Sequence, residues 1–270
     1  MGIYISKNLL FEVIRGKPLL EDAVNILEEN VEVKELLEMS NVMAVRRLKF
    51  NDHGIVHARI VAGAALVLLD MLHEQGIEPS TLYDRSVRSF EEAELVTLIG
   101  AYLHDIGNAV HRVNHPLHGY ILAIPILNDI LPKVIGGRNL YRIRQEILHI
   151  IYSHDENIPC LTIEAGCVKV ADGLDMCEGR ARIPYKLGKA DIHAFSALAI
   201  KHVEVSQGVE RPIRINVVMS ESAGIFQVEE VLMRKIRTSG LANLIEINVY
   251  CGERVYRIRP SGFRIVQTQL

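Results

Sequence analysis

The stretch GIVHARIVAGAALVLLDMLHE (residues 54–74) decides the fold class, because its apolar residues recur at three- and four-residue steps. The segment is followed by Gly76 and Pro79, residue types that commonly end a helix. Its apolar face carries His57 in line with four hydrophobic side chains, Ile60, Ala64, Val67 and Met71. The stretch therefore predicts a buried helix with one histidine on its inner face.

The same helical period continues on both sides of this segment. Residues 19–39 predict an earlier helix, and another begins at Ser89, which forms a capping box with Glu92. The next helix starts near Pro116, a favourable residue for a first helical turn. Further helices are predicted over residues 139–153, 163–176 and 191–204.

The pattern changes after Gly208. Residues 211–219, 244–250 and 254–259 alternate between apolar and polar side chains and predict strands, whereas residues 227–238 predict an amphipathic helix. The expected fold class is mainly α. It consists of a helical domain over residues 1–205 and a small α+β unit of order β-α-β-β over residues 206–270.

Composition excludes several classes of protein. The 270 residues are 49% hydrophobic and 23% charged, which is typical of a soluble globular protein. The net charge of −3 and the absence of Trp argue against nucleic acid as a partner. No stretch reaches the roughly 18 apolar residues of a membrane span, because Asp70 interrupts the most apolar run. We therefore expect small-molecule partners and no membrane partner.

The cysteines indicate a compartment. Cys160, Cys167, Cys177 and Cys251 lack C-x-x-C spacing, which disfavours a zinc ribbon. Reduced thiols in a cytoplasmic protein are expected, with disulfide pairing as the alternative.

Histidines and aspartates fall at the ends of the predicted helices. His104 and Asp105 end the third helix, and His115 precedes Pro116 at the start of the fourth. His154 and Asp172 each share a helix face with apolar residues of the fifth and sixth helices. Helical bundles build metal sites from such inward-facing residues, one or two from each helix.

Neutral imidazoles and carboxylates suit a divalent transition metal such as Mn, Fe, Co, Ni or Zn. Such an ion lowers the pKa of a coordinated water and polarises a phosphoryl oxygen. A single buried histidine is more often a hydrogen-bonded core residue. Two aspartates on buried helix faces are costly without a partner, and together with the histidines they favour metal binding.

The motifs HARIVAGAAL from His57, YLHDIGN around His104 and Asp105, and KVADGLDM around Asp172 resemble the HD superfamily of metal-dependent phosphohydrolases. The resemblance covers roughly residues 51–182. It implies an all-α fold, one or two divalent metal ions, and hydrolysis of phosphomonoesters or phosphodiesters, commonly in nucleotides. A metal-activated hydroxide would attack phosphorus in line, with Asp105 and His104 as catalytic residues.

Two further motifs resemble the two-metal branches of this superfamily. His115-Pro-Leu-His118-Gly119 matches an H-x-x-x-G helix start, and His154 stands where the next ligand is expected. The resemblance implies that His57, Asp105 and Asp172 serve one metal, and that His115, His154 and Asp105 serve the other, with His104 beside its aspartate. His118 is an alternative to His115, or faces the substrate. His53 could add a ligand or cap its helix.

The chain also departs from these branches. Asn108 stands where they carry Lys, which weakens a mechanism that needs a cation there. No G-Y-P signature follows His154, so a cyclic-di-GMP phosphodiesterase is not supported.

Substrate-binding candidates lie close to the predicted ligands. Arg112 and Arg180 could hold a phosphate, because the guanidinium fork matches its geometry. Asp175, one turn beyond Asp172, could orient a ligand or face a nucleotide.

Two other functions are consistent with the same residues. One is a di-iron oxygenase on the same fold, and the other is a non-catalytic, metal-stabilised nucleotide sensor. The C-terminal unit is expected to form a homodimer or a regulatory site.

Overall fold

The computed structural model describes residues 2–177, 192–260 and 265–269. Its helices follow the order α1 (Leu9–Val13), α2 (Pro18–Glu29), α3 (Val31–Asn41), α4 (Ile55–Glu74), α5 (Ser80–Tyr83), α6 (Phe90–Leu103), α7 (His115–Val134), α8 (Leu140–Ser153), α9 (Ile163–Leu174) and α10 (Ile192–Ala199). A π-helical turn (Val42–Arg47) follows α3, and a 3-10 turn (Ile106–Ala109) follows α6.

Helix α4 forms the centre of the bundle, as the periodicity of residues 54–74 predicts. Thirteen of its 20 residues are buried, and it packs against α6 and α9. Gly63 allows α1 to approach closely, since a Cβ there would lie 2.6 Å from the backbone nitrogen of Leu10. By length and composition α4 could cross a membrane, but 72% of its most apolar window is buried inside the protein. That burial is typical of the core helix of a soluble protein.

Local capping explains where helices begin. The helix predicted over residues 19–39 is divided at Asn30, whose extended backbone ends α2 and whose side chain accepts a hydrogen bond from Val33 at the start of α3. Ser89 caps α6 as predicted, and its Oγ accepts from the Glu92 amide at 3.3 Å. The Glu92 carboxylate reaches the amide of Arg88 instead of that of Ser89.

Six strands form one sheet in chain order: β1 (Ile3–Tyr4), β2 (Ile200–Gln207), β3 (Ile213–Met219), β4 (Ile245–Cys251), β5 (Arg254–Ile258) and β6 (Ile265–Gln269). All neighbours are antiparallel except β3 and β4, which are parallel. Parallel neighbours need a crossover. It is supplied by α11 (Ile225–Gln227), a π-helical turn (Val228–Leu232) and α12 (Met233–Thr238), together called the C-terminal helix (residues 225–238).

The expected fold class is confirmed: a mainly α bundle carries a small α+β unit. The predicted β-α-β-β order matches β3, the C-terminal helix, β4 and β5, and the structure adds β6 after them. The helix predicted over residues 191–204 is wrong beyond Ala199, where β2 begins. Val203 and Val205 of β2 are buried and pair with β3, and this tertiary pairing overrides the local helical pattern. The division at residue 205 stays a prediction, and β2 lies across it. Cys160, Cys167 and Cys251 are free thiols.

Candidate metal centre

Helix ends bring the predicted ligands together. His57 lies in the first turn of α4, His104 and Asp105 follow α6, and His154 follows α8. His115 opens α7, and Asp172 lies in the last turn of α9. All six side chains are buried. The ends of five helices therefore converge on one polar site inside an apolar bundle.

Two glycines allow this convergence. A Cβ on Gly107 would lie 2.0 Å from the His115 carbonyl oxygen and 2.3 Å from the Gly119 nitrogen, so only glycine lets the turn after α6 contact the start of α7. A Cβ on Gly119 would approach Ile151 of α8 to 3.2 Å. The spacing of His115 and Gly119 thus has a packing reason, because it seats α7 between the Asp105 turn and α8.

Asp105 lies between two sets of histidines. Its Oδ2 is 3.4 Å from Nε2 of His57 and 3.4 Å from Nε2 of His104. Its Oδ1 is 3.6 Å from Nε2 of both His115 and His154. Asp172 joins the first set, with Oδ1 3.2 Å from His57 Nε2. One carboxylate therefore faces a first cluster (His57, His104, Asp172) and a second cluster (His115, His154).

Each of the four histidines has its Nδ1 held by an oxygen. His104 contacts the Ala101 carbonyl at 2.7 Å, His115 that of Arg112 at 3.0 Å, and His154 that of Ile151 at 2.6 Å. A carbonyl only accepts, so these three Nδ1 atoms carry the proton. His57 Nδ1 lies 2.6 Å from Asp175 Oδ2. Metal-binding histidines are typically oriented in this way, with Nε2 left as the ligand.

The inward nitrogens lack the protons that would satisfy them. His115 and His154 face each other with their Nε2 atoms 2.9 Å apart, although neither carries a proton there when the ring is neutral. His104 Nε2 is buried and has no hydrogen-bond partner among the described residues. Such a collection of lone pairs and carboxylates fits a bound cation, and the residues present fit one or two divalent transition metals.

The electrostatics give the protonation states that a metal requires. Burial, together with the neighbouring His154 and Arg112, lowers the pKa of His115 to about 2. Burial also lowers the pKa of His154. For Asp172 burial alone would raise the pKa, but Lys235 and the contact with His57 hold it well below its usual value. At neutral pH the imidazoles of His115 and His154 are therefore neutral and the Asp172 carboxylate is ionised, the forms in which these groups bind a metal.

Some of the remaining predicted residues reach the site and others do not. Arg112 Nη1 lies 3.2 Å from His115 Nε2 and 4.0 Å from Asp105 Oδ1. Asp175 orients His57, one of its two expected roles. His118 does not line the cleft, and its buried Nδ1 has no hydrogen-bond partner in the part of the chain that the structure describes. Arg180 lies outside the described residues.

Three functional side chains were missed or left open by the sequence analysis. His53 Nδ1 lies 2.6 Å from Asp105 Oδ2, and the signal for it was its position four residues before His57. Asn108 donates to Asp105 Oδ1 at 2.8 Å. Lys235 of the C-terminal helix lies 2.5 Å from Asp172 Oδ2, and no local pattern marked it.

The centre opens into a cleft of about 700 Å³. Asp105, His115, His154 and Asp172 line its base, and the loop before α7 with Arg112 and Asn114 forms one side. The opposite side is the C-terminal helix, which contributes Phe226, Gln227, Glu230, Val231, Arg234 and Lys235. A small molecule could therefore reach the second cluster from solvent.

Comparison with known proteins gives two findings. The HD domain family matches residues 54–177, a range that contains all four histidines and both aspartates. The chain is 50% identical over 221 residues to the uncharacterized protein MJ1020 of Methanocaldococcus jannaschii, and the match covers 82% of this chain and 85% of that protein. No solved structure matches the chain.

Proposed function

The chain belongs to the HD domain family, whose members are generally metal-dependent hydrolases, and on this premise we propose that it is a metal-dependent phosphohydrolase. It cleaves a phosphomonoester or phosphodiester bond in a nucleotide or another small phosphate ester. The observation that carries the proposal is the convergence of four Nε2 atoms on the two oxygens of Asp105.

Each of the two clusters contains residues that would bind a metal ion. His57, His104 and Asp172 would bind one ion together with Asp105 Oδ2. His115 and His154, whose Nε2 atoms lie 3.6 Å from Asp105 Oδ1, would bind a second ion, to which His104 is also close enough to contribute. A divalent ion supplies a water with a pKa near neutrality and a Lewis acid for the phosphoryl oxygen.

The chain's own residues prepare the site for this chemistry. Asp175 and three backbone carbonyls lock the imidazole rings, so that little reorganisation is needed when a ligand binds. Arg112 lies at the edge of the cleft with its side chain 38% exposed, where a guanidinium can hold a phosphate oxygen. The apolar and amide side chains of the opposite side suit the organic part of the substrate.

The test is a panel of nucleotides and other phosphate esters incubated with protein loaded separately with Mn²⁺, Co²⁺, Zn²⁺ and Fe²⁺. We expect phosphate release, and we expect its loss in Asp105→Asn but not in His73→Gln, a histidine that stacks on Phe90 away from the cleft. Oxygen consumption without phosphate release would support an oxygenase instead. Saturable nucleotide binding without turnover would support a sensor.

The remaining expectations are also proposals. The partners would be small molecules and not nucleic acid or membrane, and the protein would be a cytoplasmic homodimer. Light scattering of the purified chain tests the dimer by its mass, for which a monomer of 30.3 kDa is the contrary result.

A further inference from the structure

The C-terminal helix lies against a face of α9 that carries two glycines. A Cβ on Gly166 would lie 2.4 Å from the Ser239 carbonyl oxygen, and one on Gly173 would lie 3.1 Å from Leu232 Cδ1. The two glycines are seven residues apart and therefore share one face of α9. Their small size sets how closely the two helices approach.

Lys169 fixes this contact between the two glycines. Its side chain is fully buried, and Nζ donates to the Ile158 carbonyl at 2.5 Å and to the Thr238 hydroxyl at 3.0 Å. Thr238 is the last residue of the C-terminal helix, whose terminal carbonyl accepts from the same ammonium at 3.3 Å. A cation at a helix C-terminus satisfies its unpaired carbonyls and its dipole. The C-terminal helix is thus held in place on the helix that carries Asp172.

The packing of the C-terminal helix on α9 places Lys235 in contact with Asp172, a predicted metal ligand. Lys235 Nζ lies 2.5 Å from Asp172 Oδ2, and the other oxygen of this carboxylate lies 3.2 Å from His57 Nε2. The side chains of Lys235 and Asp172 are only 14% and 10% exposed. The Lys235 ammonium therefore contacts Oδ2 of Asp172, and Oδ1 of the same carboxylate is directed at His57.

We propose that Lys235 is a positioning residue of the metal centre, supplied by the C-terminal unit, which holds Asp172 so that Oδ1 faces the ion bound by His57 and His104. Hydrogen-bonded carboxylate ligands bind metal more tightly than unsupported ones, because they need no reordering. This inference rests on the metal-binding part of the proposed function. It makes docking of the C-terminal helix a requirement for a complete centre.

The test uses the full chain with Co²⁺, whose visible spectrum reports ligand geometry independently of turnover. In Lys235→Gln we expect about tenfold weaker Co²⁺ binding in competition with a chelator, together with an altered visible band. Lys235→Arg keeps a cation and should restore most of the affinity and the band. Arg237→Gln removes a charge from the exposed face of the same helix and should leave both unchanged.

A second variant keeps the inference testable if Lys235→Gln folds poorly. Gly173→Val moves the C-terminal helix away from α9 without altering either charge, and it should change the Co²⁺ band in the same direction. Circular dichroism of the metal-free proteins checks that each variant is folded.

Several outcomes separate this inference from the proposed function. Parental affinity and an unchanged band in Lys235→Gln would overturn the role of Lys235 and leave the hydrolase intact. If the unsubstituted protein binds Co²⁺ but releases no phosphate, the proposed hydrolase function is overturned. The role of Lys235 is then still tested by the spectrum of the bound Co²⁺. A parent that binds no Co²⁺ would overturn both.

Discussion

Two clusters of ionisable side chains in the described part of the bundle, one partly buried and one buried, differ in how their carboxylates are balanced. In the set formed by Lys17, Asp70 and Glu94, called the lysine cluster, the Lys17 ammonium lies 3.1 Å from Asp70 and also contacts Glu94. In the metal centre, Asp105 accepts from Asn108, contacts His53 Nδ1 and faces four histidine Nε2 atoms, and the nearest guanidinium among the described residues is that of Arg112 at 4.0 Å. The Lys17 ammonium contacts both carboxylates of the lysine cluster, whereas in the metal centre Lys235 contacts Asp172 and no lysine among the described residues contacts Asp105.

The lysine cluster and the metal centre differ in their unsatisfied polar atoms more than in their charge. Both sets join residues from different helices, and both contain two carboxylates. Only in the metal centre do locked Nδ1 atoms direct bare Nε2 atoms inward.

The largest effect is expected for Asp105→Asn, because this carboxylate faces both clusters. Metal content should fall to background and phosphate release by about 10³-fold or more, since an amide lacks the charge that holds the ions. Plasma mass spectrometry and steady-state kinetics measure the two quantities. The control variant Asp70→Asn, in the lysine cluster, should keep the metal content of the parent protein. Loss of metal in this control would contradict the distinction between the lysine cluster and the metal centre.

Next is His154→Ala, which alters only the second cluster. We expect it to lose about one ion per chain and about 10²-fold in phosphate release, while the first cluster still binds. Metal analysis after gel filtration checks the stoichiometry. Loss of all metal, or of none, would contradict the division of the site at Asp105.

Metal removal should destabilise the protein by an amount that depends on metal concentration. At a free metal concentration of 100 times the Kd of a site, each occupied site should raise the free energy of unfolding by about 2.7 kcal/mol relative to chelator-treated protein. Urea unfolding with and without metal measures it. Equal stability in both states would mean that the folded centre does not bind the ion.

Lys17→Met should lower the free energy of unfolding equally in the metal-loaded and the chelator-treated protein. Removing one partner from a partly buried ion pair leaves a charge uncompensated, and because the Lys17 side chain is one-third exposed we expect a loss of about 1–3 kcal/mol in the free energy of unfolding. The same urea experiment tests it. A loss that disappears when metal is added would show that the lysine cluster and the metal centre are coupled.

A last effect concerns pH. Burial, and then the charge of Asp70, raise the pKa of Glu94 to about 7 despite the contact with Lys17. The folded state therefore binds a proton that the unfolded state releases near pH 4.3. The contribution of Glu94 to stability should therefore be greatest below that value and be lost as pH rises through 7. Glu94→Gln should flatten this decline, measured as the urea midpoint between pH 5 and 8, and an unchanged slope would contradict it.

The sequence predicted what depends on local periodicity and local chemistry. His57, His104, Asp105, His115, His154 and Asp172 were found because each stands at a recognisable helix position or in a motif, and the structure brings all six together. Ser89 and Pro116 marked helix starts correctly for the same reason.

Long-range contacts determine those parts of the fold and of the site that the sequence did not predict. β2 has apolar residues that also fit a helix, and only pairing with β3 selects the strand. β1 has two residues and depends on β2 for its pairing. Lys235 lies 63 residues from Asp172 along the chain, so its contact follows from the docking of two helices and not from any spacing.

Metal content per chain tests the central claim most directly. Tag-free protein purified without chelator should contain about two transition-metal ions per chain by plasma mass spectrometry, one for each oxygen of Asp105. One ion would restrict the site to a single cluster. No bound ion, and none taken up from added Mn²⁺, Co²⁺, Zn²⁺ or Fe²⁺, would contradict the account, because the inward nitrogens would then need a partner other than metal.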